Sequence, residues 1–296
     1  MPAVPPLTSN TPSAPEPPTL PEALAQRYGE PWRGQSLSEG LETHPLLRAL
    51  LSRRSVRRYR DDPVPESLLE TLFACAQSAP TKSDLQQYAI LLVARQDLRA
   101  TLFSWLPKFP WLAEAPVFLV FCADIRRGRH ACRMHGRPHA NDNVDTFLNG
   151  AVDAALALGA FIHAAESAGL GCCPISLVRN HLEPLSRLLA LPDGVLPICG
   201  LALGWPAEPG RISMRLPQRV VVHRDTYREL GLEEELRAYD ERRHAREPIA
   251  QDKQKNPERY GTAERVTWTD QVSRQLSVPE RADLTAFLHG HGFGLK

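Results

Sequence analysis

The segment Ser52–Pro65 reads SRRSVRRYRDDPVP and is the most informative stretch of the sequence. Apolar residues with helical spacing flank it over 44–51 and 66–79, so it predicts a basic loop between two helices. Arginine guanidinium groups bind phosphate through paired hydrogen bonds, and Ser55 adds a hydroxyl donor. The segment is therefore a candidate phosphate site, although a solvated basic loop accounts equally well for the same composition.

Length, composition and charge place the chain in a broad class. It has 296 residues, of which 43% are hydrophobic and 23% charged, as is typical of a soluble globular protein of one large domain or two small ones. The 35 basic and 34 acidic side chains leave a formal charge of +1. This balance supplies no whole-chain attraction for nucleic acid or an anionic membrane, so neither is an expected partner.

Cysteine usage and the distribution of apolar residues favour the cytoplasm. The six cysteines are scattered through apolar runs without a CxxC pair, as expected of buried, reduced thiols. The N-terminus lacks the basic-then-apolar layout of a secretion signal, and no stretch approaches the ~20 apolar residues needed to cross a bilayer. We expect a cytoplasmic protein without a membrane segment.

Other kinds of active site have little support in the sequence. Four residues have a spacing that could suggest zinc: His130, Cys132, His135 and His139. No tight ligand pair completes such a site, so no metal is predicted. Cys172-Cys173 lies in an apolar stretch without the signature of a Cys-His nucleophile. The sequence has no GxGxxG or Walker A motif, which argues against the usual Rossmann and P-loop folds.

The N-terminal part differs in composition from the rest of the chain. Seven of the first eighteen residues are proline, so residues 1 to about 19 are predicted to be disordered. Leu20–Gly29 has helical spacing and a glycine stop, and order can begin there. We divide the chain into a Pro-rich, largely disordered extension over 1–40 and one domain over 41–296, with a C-terminal excursion over 228–296.

The main body mixes helix and strand patterns. Short apolar runs predict buried strands over 88–93, 117–122 and 195–203, and 220–222 could extend an edge. The stretch 144–169 predicts a helix that is apolar all round, which belongs in a core or a subunit interface. Polar segments interrupt this order at 126–142 and 251–262. The mixture favours an α+β or α/β domain.

Taken together, these segments resemble the FMN-dependent nitroreductase family. Its opening motif reads approximately (R/H)-R-S-x-R-x-(F/Y), followed by a D/E-x-P-(I/V) turn, as in Ser52–Tyr59 and Asp62–Pro65 here. Later features keep the family's order: Ala76–Ser83 with Leu85-Gln86, Ala165–Gly171 and Leu201–Pro206. The tail is similar to the flavin reductase P or major oxygen-insensitive NADPH nitroreductase branch in Arg215–Pro217, Val222-His223, Tyr239–Glu241 and Thr267–Asp270. The resemblance covers about residues 44–296.

The resemblance implies a fold and a reaction. The fold is α+β, a central mostly antiparallel sheet wrapped by helices, assembled as an intertwined homodimer with FMN at the interface. The helix over 144–169 is suited to that interface because its apolar faces exceed what one small core needs. The implied reaction is ping-pong hydride transfer from NAD(P)H through FMN to a small-molecule acceptor such as a nitroaromatic, a quinone or a related electrophile.

The resemblance also implies a set of flavin-binding residues, and none that is catalytic in its own right. Arg53, Arg54 and Ser55 match positions that hold the phosphate and ribityl chain, and Arg57 matches one near the ribityl and pyrimidine end. Arg215 matches a second phosphate-binding arginine. The segments matched to the two faces of the flavin ring are Thr81, Ser83 and Gln86 on one side and Pro174, Ile175, Ser176 and Leu177 on the other.

Three positions depart from the family pattern. Ser213 stands where the branch has a lysine, which weakens one phosphate contact unless Arg211 substitutes. The run 174–177 is bulkier than the aromatic-Ile-Gly-Gly pattern of the branch. Phe109 stands near the position of a glutamine that touches the flavin.

The tail carries the residues matched to the nicotinamide donor. Arg259 matches an arginine that binds the 2′-phosphate of NADPH, and Arg265 lies nearby, whereas Glu264 falls where a second arginine is expected. These residues predict a modest preference for NADPH over NADH. Arg281 matches a position near the substrate mouth. A solvated charged helix face explains Arg265 and Arg281 equally well.

Two further functions stay open on the sequence. The altered run 174–177 could mark a dedicated metabolic reductase or a free-flavin reductase of the same fold. The chain could also be a flavin-binding sensor module without turnover. Oxidation of NAD(P)H with and without an acceptor separates these hypotheses, because a sensor would show none.

Overall fold

The computed structural model describes residues 18–29 and 40–296 and contains one antiparallel sheet. Its strands are β1 (Tyr88–Leu92), β2 (Val117–Asp124), β3 (Gly171–Ile175) and β4 (Val195–Gly204). They lie in the order β1-β2-β4-β3, and each neighbouring pair is antiparallel. The predicted α+β architecture with a central antiparallel sheet is confirmed.

The described residues form thirteen α-helices around this sheet. They are α1 (Leu20–Tyr28), α2 (Pro45–Ser52), α3 (Glu66–Gln77), α4 (Gln96–Ser104), α5 (Trp111–Glu114), α6 (Arg126–Met134), α7 (Val144–Ser167), α8 (Leu182–Leu188), α9 (Gln218–Val221), α10 (Leu232–Arg246), α11 (Pro257–Tyr260), α12 (Trp268–Leu276) and α13 (Leu284–Gly290). Short 3-10 turns occupy Lys82–Asp84, Leu177–His181 and Gln251–Lys253.

The sheet is covered on both faces, which explains its continuous apolar strands. All eight residues of β2 are buried. Phe118 and Val120 pack into one core cluster with residues of α4, α5 and α8. Leu119 and Phe121 point the other way, into a second cluster with residues of α3 and α7. Successive side chains of a strand alternate between faces, so β2 joins both clusters.

The predicted helices near 44–52, 66–79 and 144–169 and the three predicted buried strands are confirmed, but the expected edge strand is wrong. Residues 220–222 do not extend the sheet, because Gln218–Val221 is a helical turn after Pro217, with a hydrogen bond from the Val222 N–H to the Gln218 carbonyl (2.7 Å). The polar segment 126–142 begins with α6, a helix that was not predicted. Four of its nine residues are arginine and none is buried, so apolar spacing gave no signal for it.

Strand β3 was not predicted, because its sequence GCCPI contains glycine and proline. Pairing with β4 places Gly171 opposite Gly204. A Cβ at Gly171 would lie 2.7 Å from the Val56 Cβ, and one at Gly204 would lie 3.0 Å from the Tyr59 Cδ1. The two glycines therefore let the segment after α2 approach the sheet closely.

Helix α7 corrects the expectation that no stretch could cross a membrane. By length and composition Val144–Ser167 meets the requirement for a span. It packs, however, against α3 and across β1 and β2, as the core helix of a globular domain does. One such helix is weak evidence for a membrane segment.

The helix predicted near 20–29 is confirmed as α1. Thr19 and Glu22 form a capping box at its start, and Gly29 ends it with a φ of 71°. Leu20, Ala23 and Leu24 are buried, so this part of the predicted extension belongs to the packed body. The disorder predicted for the rest of 1–40 falls largely on 1–17 and 30–39, outside the described residues.

Candidate functional site

The basic segment after α2 runs beside β3. The Val56 N–H donates to the Cys172 carbonyl (3.0 Å), and Ser55 and Cys172 form an isolated parallel bridge. Further along, Tyr59 forms an antiparallel bridge with Pro206. These contacts hold Arg53, Arg54 and Arg57 at fixed places along the sheet edge.

Four arginines and one glutamate gather at the beginning of this segment. They are Arg27, Arg53, Arg54, Arg215 and Glu166, hereafter the phosphate cluster. The Arg27 guanidinium lies in the electrostatic field of Arg53, Arg215 and Glu166, and Arg53 Nε lies 3.6 Å from Glu166 Oε1. Among residues 18–29 and 40–296, the half-buried Arg54 forms no ion pair with a carboxylate. Arg27, Arg53 and Arg54 thus act on a single carboxyl group. The exposed Arg215 joins the cluster through its effect on Arg27.

The partial protonation of Glu166 near neutral pH increases this excess of positive charge. Burial raises its pKa to about 7, although Arg53, Arg54 and Arg27 act in the opposite direction. Its Oε1 is buried without a hydrogen-bond partner in the part of the chain that the structure describes. Near neutral pH the carboxyl is therefore only partly ionised, and the cluster is suited to a doubly charged phosphate monoester.

The remaining arginines of the segment have other partners. Arg58 pairs with Glu208 (3.7 Å) and Arg60 pairs with Asp62 (2.9 Å), both near the surface. Arg57 lies over the Trp111 ring at 5.9 Å from its centroid and interacts with the Cys173 thiol. The structure therefore divides a basic run that looks uniform in sequence into arginines beside Glu166, an arginine over a tryptophan ring and arginines paired with surface carboxylates.

Residues 174–177, the ring segment, lie where β3 ends and a 3-10 turn begins. Arg281 reaches this segment from the C-terminal excursion, with its Nη2 3.3 Å from Ser176 Oγ and its Nε donating to Asn180 Oδ1 (2.9 Å). A residue predicted near the substrate mouth and the predicted ring segment are thus in direct contact.

The loop 81–87 contains the other predicted ring-binding residues, Thr81, Ser83 and Gln86. Ser83 has a φ of 48° and Gln86 a φ of 51°, in the left-handed region that side chains rarely adopt. Asp153 of α7, 1% exposed, accepts hydrogen bonds from the N–H groups of Lys82 and Gln87, both at 3.0 Å. This buried carboxylate holds both ends of a strained, exposed loop.

The structure does not bring the loop 81–87 to the phosphate cluster of the same chain. Asp153 contacts the loop and Glu166 belongs to the phosphate cluster, and both residues are in α7. They are thirteen residues apart, which corresponds to about 20 Å along the helix axis. The predicted flavin residues therefore form two groups at different places along α7.

The departures from the family pattern have distinct surroundings. Arg211, the candidate substitute for the lysine at position 213, pairs with Glu247 (3.4 Å). Instead, Arg27 Nη1 donates to the Ser213 carbonyl (2.8 Å), and Arg215 Nη1 lies 2.9 Å from Ser213 Oγ. Phe109 packs half-buried against the same core cluster as Trp111. Ser213 is thus contacted by Arg27 and Arg215, whereas the expected Arg211 pairs elsewhere.

The arginines predicted to read the donor lie exposed on the excursion. Arg259 Nη1 donates to the Ser277 carbonyl (3.2 Å), and its guanidinium lies over the Tyr260 ring. Arg265 pairs with Glu241. In the described part of the chain, no hydrogen bond or ion pair joins either arginine to the phosphate cluster.

The cysteine and histidine candidates do not assemble into a second site. Burial raises the pKa of the Cys172, Cys173 and Cys199 thiols, so they stay protonated and are poor nucleophiles. Within 18–29 and 40–296, no three His, Cys, Asp or Glu side chains group as a metal site.

Three residues of the site escaped sequence reasoning. Arg27 lies in the N-terminal segment and joins the cluster only through folding. Asp153 and Glu166 sit in the apolar helix, and an acidic residue at an otherwise apolar, buried position is the one signal that could have pointed to them.

We expect Glu166→Gln to change the pH dependence of stability. The pKa of Glu166 is raised on folding, so its contribution to stability is present at pH 4 and is lost as the pH rises through about 7. In urea unfolding of flavin-free protein, the variant should gain on the order of 2 kcal/mol over the parent between pH 5 and pH 8. Glu208→Gln, at an exposed ion pair, is the control, and a pH-independent difference for Glu166→Gln would contradict the expectation.

Comparison with known proteins gives matches over nearly the whole domain. The family model described as "Nitroreductase family" matches residues 50–205, and that of its C-terminal domain matches 213–296. An oxygen-insensitive NADPH nitroreductase of Salmonella typhimurium is 34% identical over 253 residues, 85% of this chain and 99% of the relative. An FMN reductase [NAD(P)H] of Bacillus subtilis is 38% identical over 199 residues, 66% of this chain and 80% of the relative.

Solved structures give the same result. The hypothetical oxidoreductase YcnD of Bacillus subtilis has a TM-score of 0.77 at 32% identity, covering 86% of this chain and 100% of that one. The NADPH:FMN oxidoreductase of Vibrio harveyi, solved in complex with NAD+, has a TM-score of 0.72 at 28% identity, covering 84% of this chain and 98% of that one.

Proposed function

The chain belongs to the nitroreductase family and is an NAD(P)H-dependent FMN oxidoreductase, and we propose that it reduces nitroaromatics, quinones or related electrophiles by a ping-pong mechanism. When bound, FMN supplies the hydride chemistry, accepting electrons from NAD(P)H and passing them to the acceptor. The polypeptide binds the cofactor, orients it and shapes one pocket that donor and acceptor use in turn.

The phosphate cluster is the observation that supports this proposal most strongly. Arg27, Arg53 and Arg54 act electrostatically on a carboxyl of raised pKa, and Arg215 acts on Arg27. The cluster therefore carries an excess of positive charge that a bound anion would offset. FMN carries such an anion at the end of its ribityl chain. The residues present therefore fit the cofactor, with Arg53, Arg54, Ser55 and Arg215 at its phosphate and ribityl end.

The ring segment and Arg281 support the position of the flavin ring. Pro174 and Ile175 lie within β3, and the backbone N–H groups of Ser176 and Leu177 follow directly after it, so the sheet fixes the start of this segment. Arg281 is only 18% exposed and borders the segment through Ser176. We assign the ring segment to one ring face and Arg281 to the mouth of the pocket.

A second copy of the chain would complete the site. Four apolar residues of α7 spaced four apart, Val144, Leu148, Val152 and Leu156, are each 41–54% exposed and form one stripe. Such a stripe on a core helix favours a subunit interface. Because the loop 81–87 lies far along α7 from its own phosphate cluster, we propose an intertwined homodimer whose partner supplies Thr81, Ser83 and Gln86. Sedimentation of flavin-loaded protein at micromolar concentration should give a dimer, and a flavin-bound monomer would refute it.

We propose a modest preference for NADPH. Among residues 18–29 and 40–296, the Arg259 guanidinium has only the Ser277 carbonyl and the Tyr260 ring as partners. Arg265 is paired with Glu241, and Glu264 opposes a phosphate. In exposed surroundings each charge contributes only about 1 kcal/mol.

The free cysteines are consistent with a reducing, cytoplasmic location, which we also propose.

Steady-state kinetics with both donors and a panel of acceptors test the function. We expect NAD(P)H oxidation that depends on a nitroaromatic or a quinone, with kcat/KM for NADPH roughly tenfold above that for NADH. Arg259→Ala should reduce this ratio, and Arg228→Ala, at an exposed position outside the predicted donor site, is the control. Absence of turnover in FMN-loaded protein would leave the sensor hypothesis, and free flavin as the preferred acceptor would favour a flavin reductase.

A further inference from the structure

Helix α1 lies outside both family matches, which begin at residues 50 and 213. It is nevertheless docked on the predicted flavin site through one side chain. Arg27 is 7% exposed, and its guanidinium donates to three backbone carbonyls: Nη1 to Ser213 (2.8 Å), and Nη2 to Leu51 (2.8 Å) and Arg53 (2.7 Å).

These three carbonyls belong to the two segments that carry the phosphate-binding arginines. Leu51 and Arg53 lie at the end of α2, immediately before Arg54, and Ser213 lies two residues before Arg215. Carbonyls at a helix C-terminus have no partner within the helix, and a cation is favoured there. One guanidinium thus joins two segments that are 160 or more residues apart in sequence.

The contact is reciprocal. The Arg215 N–H donates to the Arg27 carbonyl (2.8 Å), so α1 and the second phosphate segment hold each other. Gly29, which ends α1 with a φ of 71°, packs against Met214, where a Cβ would lie 2.1 Å from the Met214 Cε. The close approach of α1 therefore depends on a glycine at its end.

The electrostatics of the cluster show why such a joint is needed. Arg53 and Arg215 both act as like charges on the Arg27 guanidinium, and a partly ionised Glu166 opposes them there. Burial and the neighbouring Arg215 and Arg53 lower the pKa of Arg27, so its own placement is costly and depends on the three carbonyl bonds. With all three bonds made, the two segments keep their spacing in spite of the repulsion.

We propose that α1 is part of the flavin phosphate site, with Arg27 as a positioning residue that sets the spacing of the Arg53-Arg54 and Arg215 segments. This inference rests on the proposed function. It predicts that phosphate recognition, and not flavin binding in general, depends on the N-terminal helix.

The test compares FMN with riboflavin, which has the same ring and ribityl chain but no phosphate. Full-length parent and Arg27→Met are loaded with each flavin, and the Kd is obtained from the fluorescence of flavin released on dilution. The parent should bind FMN more tightly than riboflavin. In Arg27→Met the Kd for FMN should rise by at least ~10-fold, whereas that for riboflavin should stay within about threefold.

Two further variants separate positioning from stability. Arg246 Nη1 donates to the Gln26 carbonyl (2.5 Å), so Arg246→Met removes an arginine that anchors the same helix without touching the phosphate segments. It should keep the parent's preference for FMN. Arg27→Lys, which retains a charge and donors, should recover part of the preference and provides the measurement if the methionine variant does not fold.

The outcomes discriminate between the two proposals. A parent that binds no FMN would overturn the proposed function together with this inference. A parent that binds FMN, with an equal Kd in Arg27→Met, would overturn the inference alone. Equal weakening of FMN and riboflavin would also overturn it, because it would show a general structural role for Arg27.

Discussion

Replacing Arg54 by alanine should raise the Kd for FMN by roughly 10- to 150-fold, since a hydrogen bond to a charged group is worth about 1.5–3 kcal/mol. Arg54 acts on Glu166 but forms no ion pair with a carboxylate among residues 18–29 and 40–296, and Glu166 keeps Arg53 at 3.6 Å when Arg54 is removed. The flavin-free variant should therefore be about as stable as the parent.

The measurement is a flavin titration paired with thermal unfolding of the flavin-free proteins. Arg58→Ala is the matched control, because Arg58 belongs to the same basic run but pairs with Glu208 at the surface. Its Kd for FMN should stay within about threefold of the parent value. An unchanged Kd in Arg54→Ala, or equal losses in the two variants, would contradict the assignment of the cluster to the phosphate.

Asp153→Ala should give the largest loss of stability among the site variants, about 3 kcal/mol. The substitution leaves the buried Gln87 N–H and the part-buried Lys82 N–H without their acceptor, and each bond to a charged group contributes about 1.5 kcal/mol or more. It also releases the loop 81–87, in which Ser83 and Gln86 adopt unfavourable backbone conformations. Hydrogen exchange should increase at both N–H groups, and flavin affinity should fall with the loop.

Urea unfolding and hydrogen exchange check this prediction. Asp153→Asn keeps one acceptor oxygen and should cost about half as much. Asp145→Ala removes a carboxylate from the exposed first turn of the same helix and should cost less than about 1 kcal/mol. If Asp153→Ala unfolds like the parent and its loop stays protected from exchange, Asp153 does not hold the loop 81–87 in place.

The candidate site could be predicted from the sequence to different extents in its different parts. The Arg53, Arg54 and Ser55 positions were identified because arginine chemistry and helical flanks are local properties. The ring segment was placed by resemblance, but its strand was not, because GCCPI forms β3 only through pairing with β4. The edge strand expected over 220–222 is a helical turn, since three β-branched residues carry too little information to outweigh Pro217 and its local hydrogen bond.

The sequence by itself determined the main elements and located a candidate phosphate segment. Apolar spacing marked α2, α3, α7 and three strands, and the basic segment 52–60 was compatible with a phosphate site or a solvated loop, because both signals depend on residues close together in the chain. Only the tertiary structure decided which arginines gather around Glu166 and which pair with surface carboxylates. Arg27 meets Ser213 across 186 residues, Glu166 faces Arg53 at the end of α7, and Arg58 and Arg60 turn to surface carboxylates. The net charge and the burial of a site depend on residues from distant segments that meet only on folding, so they cannot be inferred from a local sequence pattern.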